Sequence, residues 1–218
     1  MRRLAVFDLD HTLLASDSDH LWGRWMIENG IVDAERYARE NERFYALYTA
    51  GTLDIHEYAA FSLRPLVEQP LERMLALRER FVAEWVAPIV APGAPGLLEK
   101  HRAQGDELLI TTATSRFITE PIAALLGVSN LIATDAEIVD GRYTGRIAGI
   151  PNFQGGKVER LRRWLAAQPE PYAHLTAYSD SRNDIPLLEE AQSAVAVDPD
   201  NVLRATAERR GWAIISLR

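Results

Sequence analysis

Residues 4–14 read LAVFDLDHTLL: an apolar run, Leu4 to Phe7, that ends in two carboxylates, Asp8 and Asp10, one residue apart. A short apolar run of this kind reads as a strand buried on both faces, as in parallel sheets. Side chains repeat every two residues along a strand, so strand geometry sends Asp8 and Asp10 to the same side. Open α/β sheets keep their ligand sites at the carboxyl ends of their strands. Two acids held together there call for a cation between them, and a hard cation with oxygen ligands, Mg2+, fits best. A plain acidic turn that caps the next element is the competing reading. An EF-hand loop is set aside, because its sixth position needs Gly and counting from Asp8 gives Leu13.

Beyond Leu14, the cluster Ser16-Asp17-Ser18-Asp19-His20 precedes a run with helical spacing, Leu21, Trp22, Trp25, Met26 and Ile27. Ser16, Asp17 or Ser18 serves as its N-cap, and Asp17 is placed to face a substrate above Asp8. Residues 31–87 read as mostly helical, with breaks at Gly51–Asp54 and at Pro65 and Pro70. Leu71 to Val86 is strongly periodic, and its aromatics suit the core of a small helical bundle. About 70 helical residues between the first and second strands of an α/β core form a cap that shuts out water. The expected division is residues 1–14 and 89–218 as core and 15–88 as cap.

The remainder alternates strands and helices. Glu107–Thr112 reads as the second strand, followed by the turn Thr112-Ala113-Thr114-Ser115-Arg116 and a helix from about Phe117. Hydroxyls and N–H groups beside a helix N-terminus suit phosphate, although Thr and Ser there are commonly caps. Ile138 to Tyr143 carries the Asp140-Gly141 signature of a hairpin. Gly155-Gly156-Lys157 opens another helix; it is no Walker loop, since Pro151 and Val158 stand where Gly and Ser or Thr are required. Leu175–Tyr178 is a strand that ends in Ser179-Asp180-Ser181-Arg182-Asn183-Asp184, and Ser193–Val197 and Trp212–Ile215 complete the sheet. The fold expected is α/β, a doubly wound, Rossmann-like parallel sheet with an all-helical cap inserted after its first strand. Polar clusters then stand after three strands, at Asp8 and Asp10, at Thr112, and at Asp180 and Asp184.

Composition narrows the class. The chain has 218 residues, a formal charge of −7 and no cysteine. Net negative charge argues against general nucleic-acid binding, and the absence of long apolar runs against a membrane span. Without cysteine there is neither a disulfide framework nor a thiolate metal site, which suits a cytoplasmic enzyme.

The three polar clusters and Lys157, which opens a helix between the second and the third, resemble in this order the four motifs of the haloacid dehalogenase-like hydrolases in their phosphatase branch. The position of the helical insert resembles the phosphoserine-phosphatase-like subfamily. The resemblance implies a Mg2+-dependent phosphatase of a small phosphorylated metabolite that works through an aspartyl-phosphate. It makes Asp8 the nucleophile and Asp10 the general acid and base. Thr112, Ala113 and Lys157 hold the phosphoryl oxygens. Mg2+ is held by Asp8, Asp10 (through its carbonyl) and Asp180, with Asp184 and Asn183 in support. Two positions depart from that subfamily, which carries Ser-Gly-Gly where this chain has Thr112-Ala113-Thr114, and Glu where it has Asp17. Phe61-Ser62-Leu63-Arg64 resembles its cap segment, which makes Arg64 a candidate for a substrate carboxylate. The Ser16–His20 cluster resembles the branch labelled histidinol-phosphate phosphatase, with Asp17 opposite the substrate's ammonium. A phosphotransferase with the same intermediate and a silent phosphate-binding module are the alternatives; the second is disfavoured by the presence of Asp8, Asp10 and Lys157.

Overall fold

Leu4 to Phe7 lies at the centre of the molecule because it is paired along both edges. The computed structural model describes residues 2–218. The first strand, β1 (Arg3–Phe7), pairs in parallel with β2 (Glu107–Ser115) on one side, Val6 opposite Leu109, and with β6 (His174–Ser179) on the other, Val6 opposite Ala177. Around this centre, β3 (Asn130–Thr134), β7 (Ser193–Val197) and β8 (Ala213–Ile215) complete a six-stranded parallel sheet of order β3-β2-β1-β6-β7-β8. The connections run outward from β1 in both directions, so the winding reverses between β1 and β6, where doubly wound sheets open a crevice at their carboxyl edge. The α/β doubly wound class read from the sequence is the class observed.

Alternation along β1 divides the core. Ala5 and Phe7 pack into the layer that holds α6 (Ala94–Ala103) and α7 (Arg116–Leu125), while Leu4 and Val6 face Leu161, Leu187 and Leu203 on the other side. Those three come from α8 (Gly155–Ala166), α9 (Ile185–Glu189) and α10 (Asn201–Arg210). Five helices come between β1 and α6: α1 (Ser18–Glu28), α2 (Ala34–Ala50), α3 (Ile55–Ser62), α4 (Arg64–Glu68) and α5 (Leu71–Phe81). Aspartates start three of them, Asp17, Asp33 and Asp54 each accepting backbone N–H groups of the first turn. Trp22, Trp25 and Phe81 interlock at ring-centroid distances of 5.1–6.1 Å, so the aromatics form the interior of the bundle as expected.

Three details differ from the sequence reading. First, β3 has no counterpart in it; only Leu131-Ile132-Ala133 marks this strand, too short an apolar run to announce itself. Second, β2 continues through Ser115, so Thr112 to Thr114 are strand residues and Ser115 caps α7 by accepting from Phe117 N. Third, the Asp140-Gly141 hairpin is present as β4 (Ala136–Val139) and β5 (Arg142–Ile147), with both turn residues at positive φ, but it packs against α3 and α4. The structure over the sheet edge is therefore five helices and a hairpin. Among the described residues no helix is long and apolar enough to cross a membrane.

Asn152, fully buried, secures the loop before α8 to the two strands beneath it. Its amide donates to Thr111 Oγ1, Thr112 O and Ile132 O at 2.8–3.1 Å. Replacing it with Ala strands these acceptors, at a cost of about 1–3 kcal/mol. Asn152→Ala is expected to lower the denaturant midpoint with little change in slope; an unchanged midpoint contradicts the assignment.

Candidate active site

Four carboxylates and one ammonium meet at the carboxyl edge of β1 and β6. Asp8 follows β1 directly, and its N–H donates to Tyr178 O at 2.9 Å, which fixes it beside the end of β6. Lys157, on the first turn of α8, reaches across: Nζ donates to Asp8 Oδ1 at 2.8 Å and to Asp184 Oδ2 at 2.7 Å, all three groups being almost fully buried. Ser179 Oγ also donates to Asp184 Oδ2, at 2.8 Å. Burial pushes the Asp8 carboxyl up to about 7, with Asp184 and Asp10 adding to the effect and Lys157 opposing it. Burial alone would lower Lys157, but Asp184 and Asp8 hold it above its ordinary value, so it stays charged. Asp180 is pushed well above the carboxylate range, by burial first and then by Asp8 and Asp184.

The turn after β1 aims the rest. His11 sits at φ +56°, a left-handed conformation that β-carbon-bearing residues seldom adopt, and this reverses the chain between Asp10 and Thr12. Thr12 Oγ1 thereby donates to Asp180 Oδ1 at 2.8 Å and accepts from Asp180 N at 3.1 Å. Asp10 is held from three directions: Ser18 N donates to Oδ1 at 2.7 Å, while Thr114 Oγ1 at 2.9 Å and Thr112 Oγ1 at 3.4 Å donate to Oδ2. Thr112 and Thr114 can both do so because they are two residues apart on one strand. Asn183 is tied by its Oδ1 to Gln154 Nε2 at 3.2 Å, just ahead of α8.

A narrow cleft separates this floor from the helices above. Asp8, Asp10 and Thr112 to Thr114 form its base, and Asp17, Asp19, Tyr45, Tyr48 and Tyr58 its upper wall. Open space amounts to about 50 Å³, enough for a few waters. Tyr48 lines the same cleft, and its phenol is pushed well above its ordinary range, by burial first and then by Asp8, Asp180 and Asp184.

Of the residues proposed from sequence, Asp8, Asp10, Thr112, Ala113, Lys157, Asp180, Asn183 and Asp184 assemble at the floor, and Asp17 lines the wall. Arg64 is not brought to the cleft. Its guanidinium pairs with Glu68 on the exposed face of α4, and it borders a separate groove with Tyr37 and Phe61. Sequence reasoning placed Asp19 only within the Ser16–His20 cluster beside Asp17 and passed over Thr114, Asn41, Tyr45 and Tyr48 as site residues. The last three recur at four- and three-residue spacing in α2, the signal of one helix face, here turned to the cleft.

The haloacid dehalogenase-like hydrolase family matches residues 5–189. A histidinol-phosphatase of Neisseria meningitidis serogroup C is 40% identical over 222 residues, covering 100% of both chains. A phosphoserine phosphatase of Mycobacterium tuberculosis is 30% identical over 217 residues, 98% of this chain and 70% of the relative. Among solved structures, a protein with unknown function from Bordetella pertussis Tohama I superposes with a TM-score of 0.94 at 41% identity, covering 100% of both chains. A substrate-bound phosphoserine phosphatase shares the fold at a TM-score of 0.70 and 17% identity, covering 100% of this chain and 94% of the other.

The position of Lys157 depends on its neighbour. A β-carbon on Gly156 would come within 2.1 Å of Pro151 O, a backbone atom that cannot rotate away. Gly156→Ala is expected to destabilise the chain by about 1–3 kcal/mol and to displace Lys157, seen as a lower melting temperature together with lost activity. Wild-type stability and turnover in this variant would contradict the packing described.

Proposed function

The chain belongs to the haloacid dehalogenase-like hydrolases and is a phosphoric monoester hydrolase, and from that premise we propose that it is a Mg2+-dependent phosphatase of a small amine-bearing phosphomonoester, histidinol phosphate foremost, acting through a phosphorylated Asp8. The observation that carries the chemistry is the buried Lys157 between Asp8 and Asp184. It orients Asp8 and supplies positive charge where a phosphoryl group would arrive. The likeness over full length to the histidinol-phosphatase and the acidic wall at Asp17 favour histidinol phosphate.

The division into a core, residues 1–14 and 89–218, and a cap, residues 15–88, belongs to the same proposal. The cleft between them is too small for a phosphomonoester, so the cap opens to admit substrate and closes to exclude water. The hairpin β4–β5 travels with the helices it packs against.

The site fits a divalent cation. Asp8, Asp10, Asp180 and Asp184 gather at this edge with a single ammonium, and that ammonium is committed to Asp8 and Asp184. Asp180 is left with the Thr12 hydroxyl and a carboxyl that burial raises. Among the described residues no cluster of three His, Cys, Asp or Glu side chains forms a metal cage. The donor chemistry is what fits: Mg2+ is commonly held by one or two carboxylates and keeps several waters. Asp8, Asp180 and the Asp10 carbonyl would hold it, and it would supply charge neutralisation for the phosphoryl oxygens.

The residues divide the reaction into two displacements at phosphorus. Lys157 occupies Asp8 Oδ1, and the other Asp8 oxygen attacks. The bond from phosphorus to the ester oxygen breaks, and Asp10, oriented by Ser18 N and Thr114, gives that oxygen its proton. Asp10, now a carboxylate, takes a proton from water as the water attacks the phosphorus of phospho-Asp8, which frees phosphate and restores the carboxylate. Thr112, Ala113 and Lys157 hold the non-bridging oxygens, while Asp184 and Asn183 steady Lys157 and the loop of Asp180.

Asp8→Asn is expected to keep the fold and to reduce phosphate release from histidinol phosphate by at least about a thousandfold, or ~4 kcal/mol of barrier. Residual turnover within tenfold would refute the assignment. Chelation by EDTA is expected to stop turnover and added Mg2+ to restore it; full activity in excess chelator would refute the metal assignment.

A further inference from the structure

One buried carboxylate of the cleft has no part in this chemistry. Asp19, the second residue of α1, is 8% exposed and lines both the cleft and a smaller cavity behind it, next to Tyr58. Burial pushes its carboxyl up to about 7, the nearby Tyr58 phenol opposes this, and Asp10 adds to it; no cation of the protein takes part. The nearest histidine in sequence is otherwise engaged. His20 lies by Asn41 Nδ2, at 3.2 Å from its Nδ1, and by Glu42, at 3.5 Å from its Nε2.

Asp17 is employed differently. Its Oδ1 accepts from Asp19 N at 2.9 Å and His20 N at 2.8 Å, so it caps α1, and these bonds hold it in place even though burial, with Asp10 and Asp19 close by, pushes its carboxyl well above the usual range. Among the described residues no backbone N–H donates to the Asp19 carboxylate, whose partner is the Tyr58 hydroxyl, and Phe44, Tyr45 and Tyr58 line the same cleft. A desolvated carboxylate beside aromatic faces favours a cation with N–H donors. We infer that Asp19, and not the capping Asp17, is the carboxylate that takes the protonated amine of the substrate and sets the preference for amine-bearing phosphomonoesters. This rests on the proposed reading of the site as a phosphatase of such esters.

The test is kcat/KM for histidinol phosphate relative to an aryl phosphate without an amine, in the wild type, Asp19→Asn and Asp17→Asn. The amide in Asp17→Asn still caps α1, so each variant removes chiefly a charge. Asp19→Asn is expected to lower the ratio by about tenfold to a hundredfold, the loss of one charged hydrogen bond, mostly through KM; Asp17→Asn is expected to lower it less than about threefold. A ratio unchanged in Asp19→Asn, or lowered equally in Asp17→Asn, overturns the inference while the phosphatase reading stands. Should Asp19→Asn fail to fold, the wild type alone decides, by comparing histidinol phosphate with its analogue in which hydrogen replaces the amine. A loss of similar size with the analogue supports the inference. Equal turnover of the two overturns both the inference and the amine-bearing substrate class, and leaves hydrolysis of phosphomonoesters intact.

Discussion

The ion triplet Asp8–Lys157–Asp184 is the constraint around which the rest of the molecule is arranged. Three charges lie almost out of contact with water, and each would be costly alone. They persist because each strand or helix that brings one is fixed independently. Asp8 is pinned by the paired strands β1 and β6, Asp184 by Ser179 at the end of β6, and Lys157 by the close approach of Gly156 to the Pro151 carbonyl. Removing any one leaves buried charge without its partner, which couples the stability of the sheet edge to the chemistry at it.

The same edge explains why a helical layer is needed over it. A carboxylate attacking phosphorus competes with water, and preorganised charge acts more strongly where water is excluded. Helices α1 to α5 supply that cover, and their inward face differs from their core. Trp22, Trp25 and Phe81 interlock with one another, whereas Tyr45, Tyr48 and Tyr58 line the cleft. On the proposed function, the floor takes the phosphoryl group and the wall meets whatever the phosphoryl group is attached to.

Most of the fold and the floor of the site were legible in the sequence, because both obey local rules. The apolar run before Asp8, the carboxylates past Tyr178 and the Gly-Gly-Lys opening of α8 each place a polar group at a strand or helix end. What was not legible depends on three-dimensional pairing. The strand β3 is short and borrows its order from β2. The left-handed turn at His11, which delivers Thr12 to Asp180, leaves no mark in composition. Arg64 sits in a segment resembling a substrate-binding one, yet packing turns it outward to Glu68. Asp17 and Asp19 stand in one acidic cluster, and only the hydrogen bonds distinguish the helix cap from the carboxylate that faces the Tyr58 hydroxyl.

The account stands on covalent phosphorylation of Asp8. The direct measurement is an acid quench of the enzyme during turnover of histidinol phosphate with Mg2+, followed by proteolysis and peptide mass spectrometry. The account predicts that the peptide containing Asp8 carries one additional phosphoryl group that is lost on base treatment, as an acyl phosphate should be. Rapid turnover with the phosphoryl group on another residue, or with no phosphorylated peptide at any quench time, would contradict it.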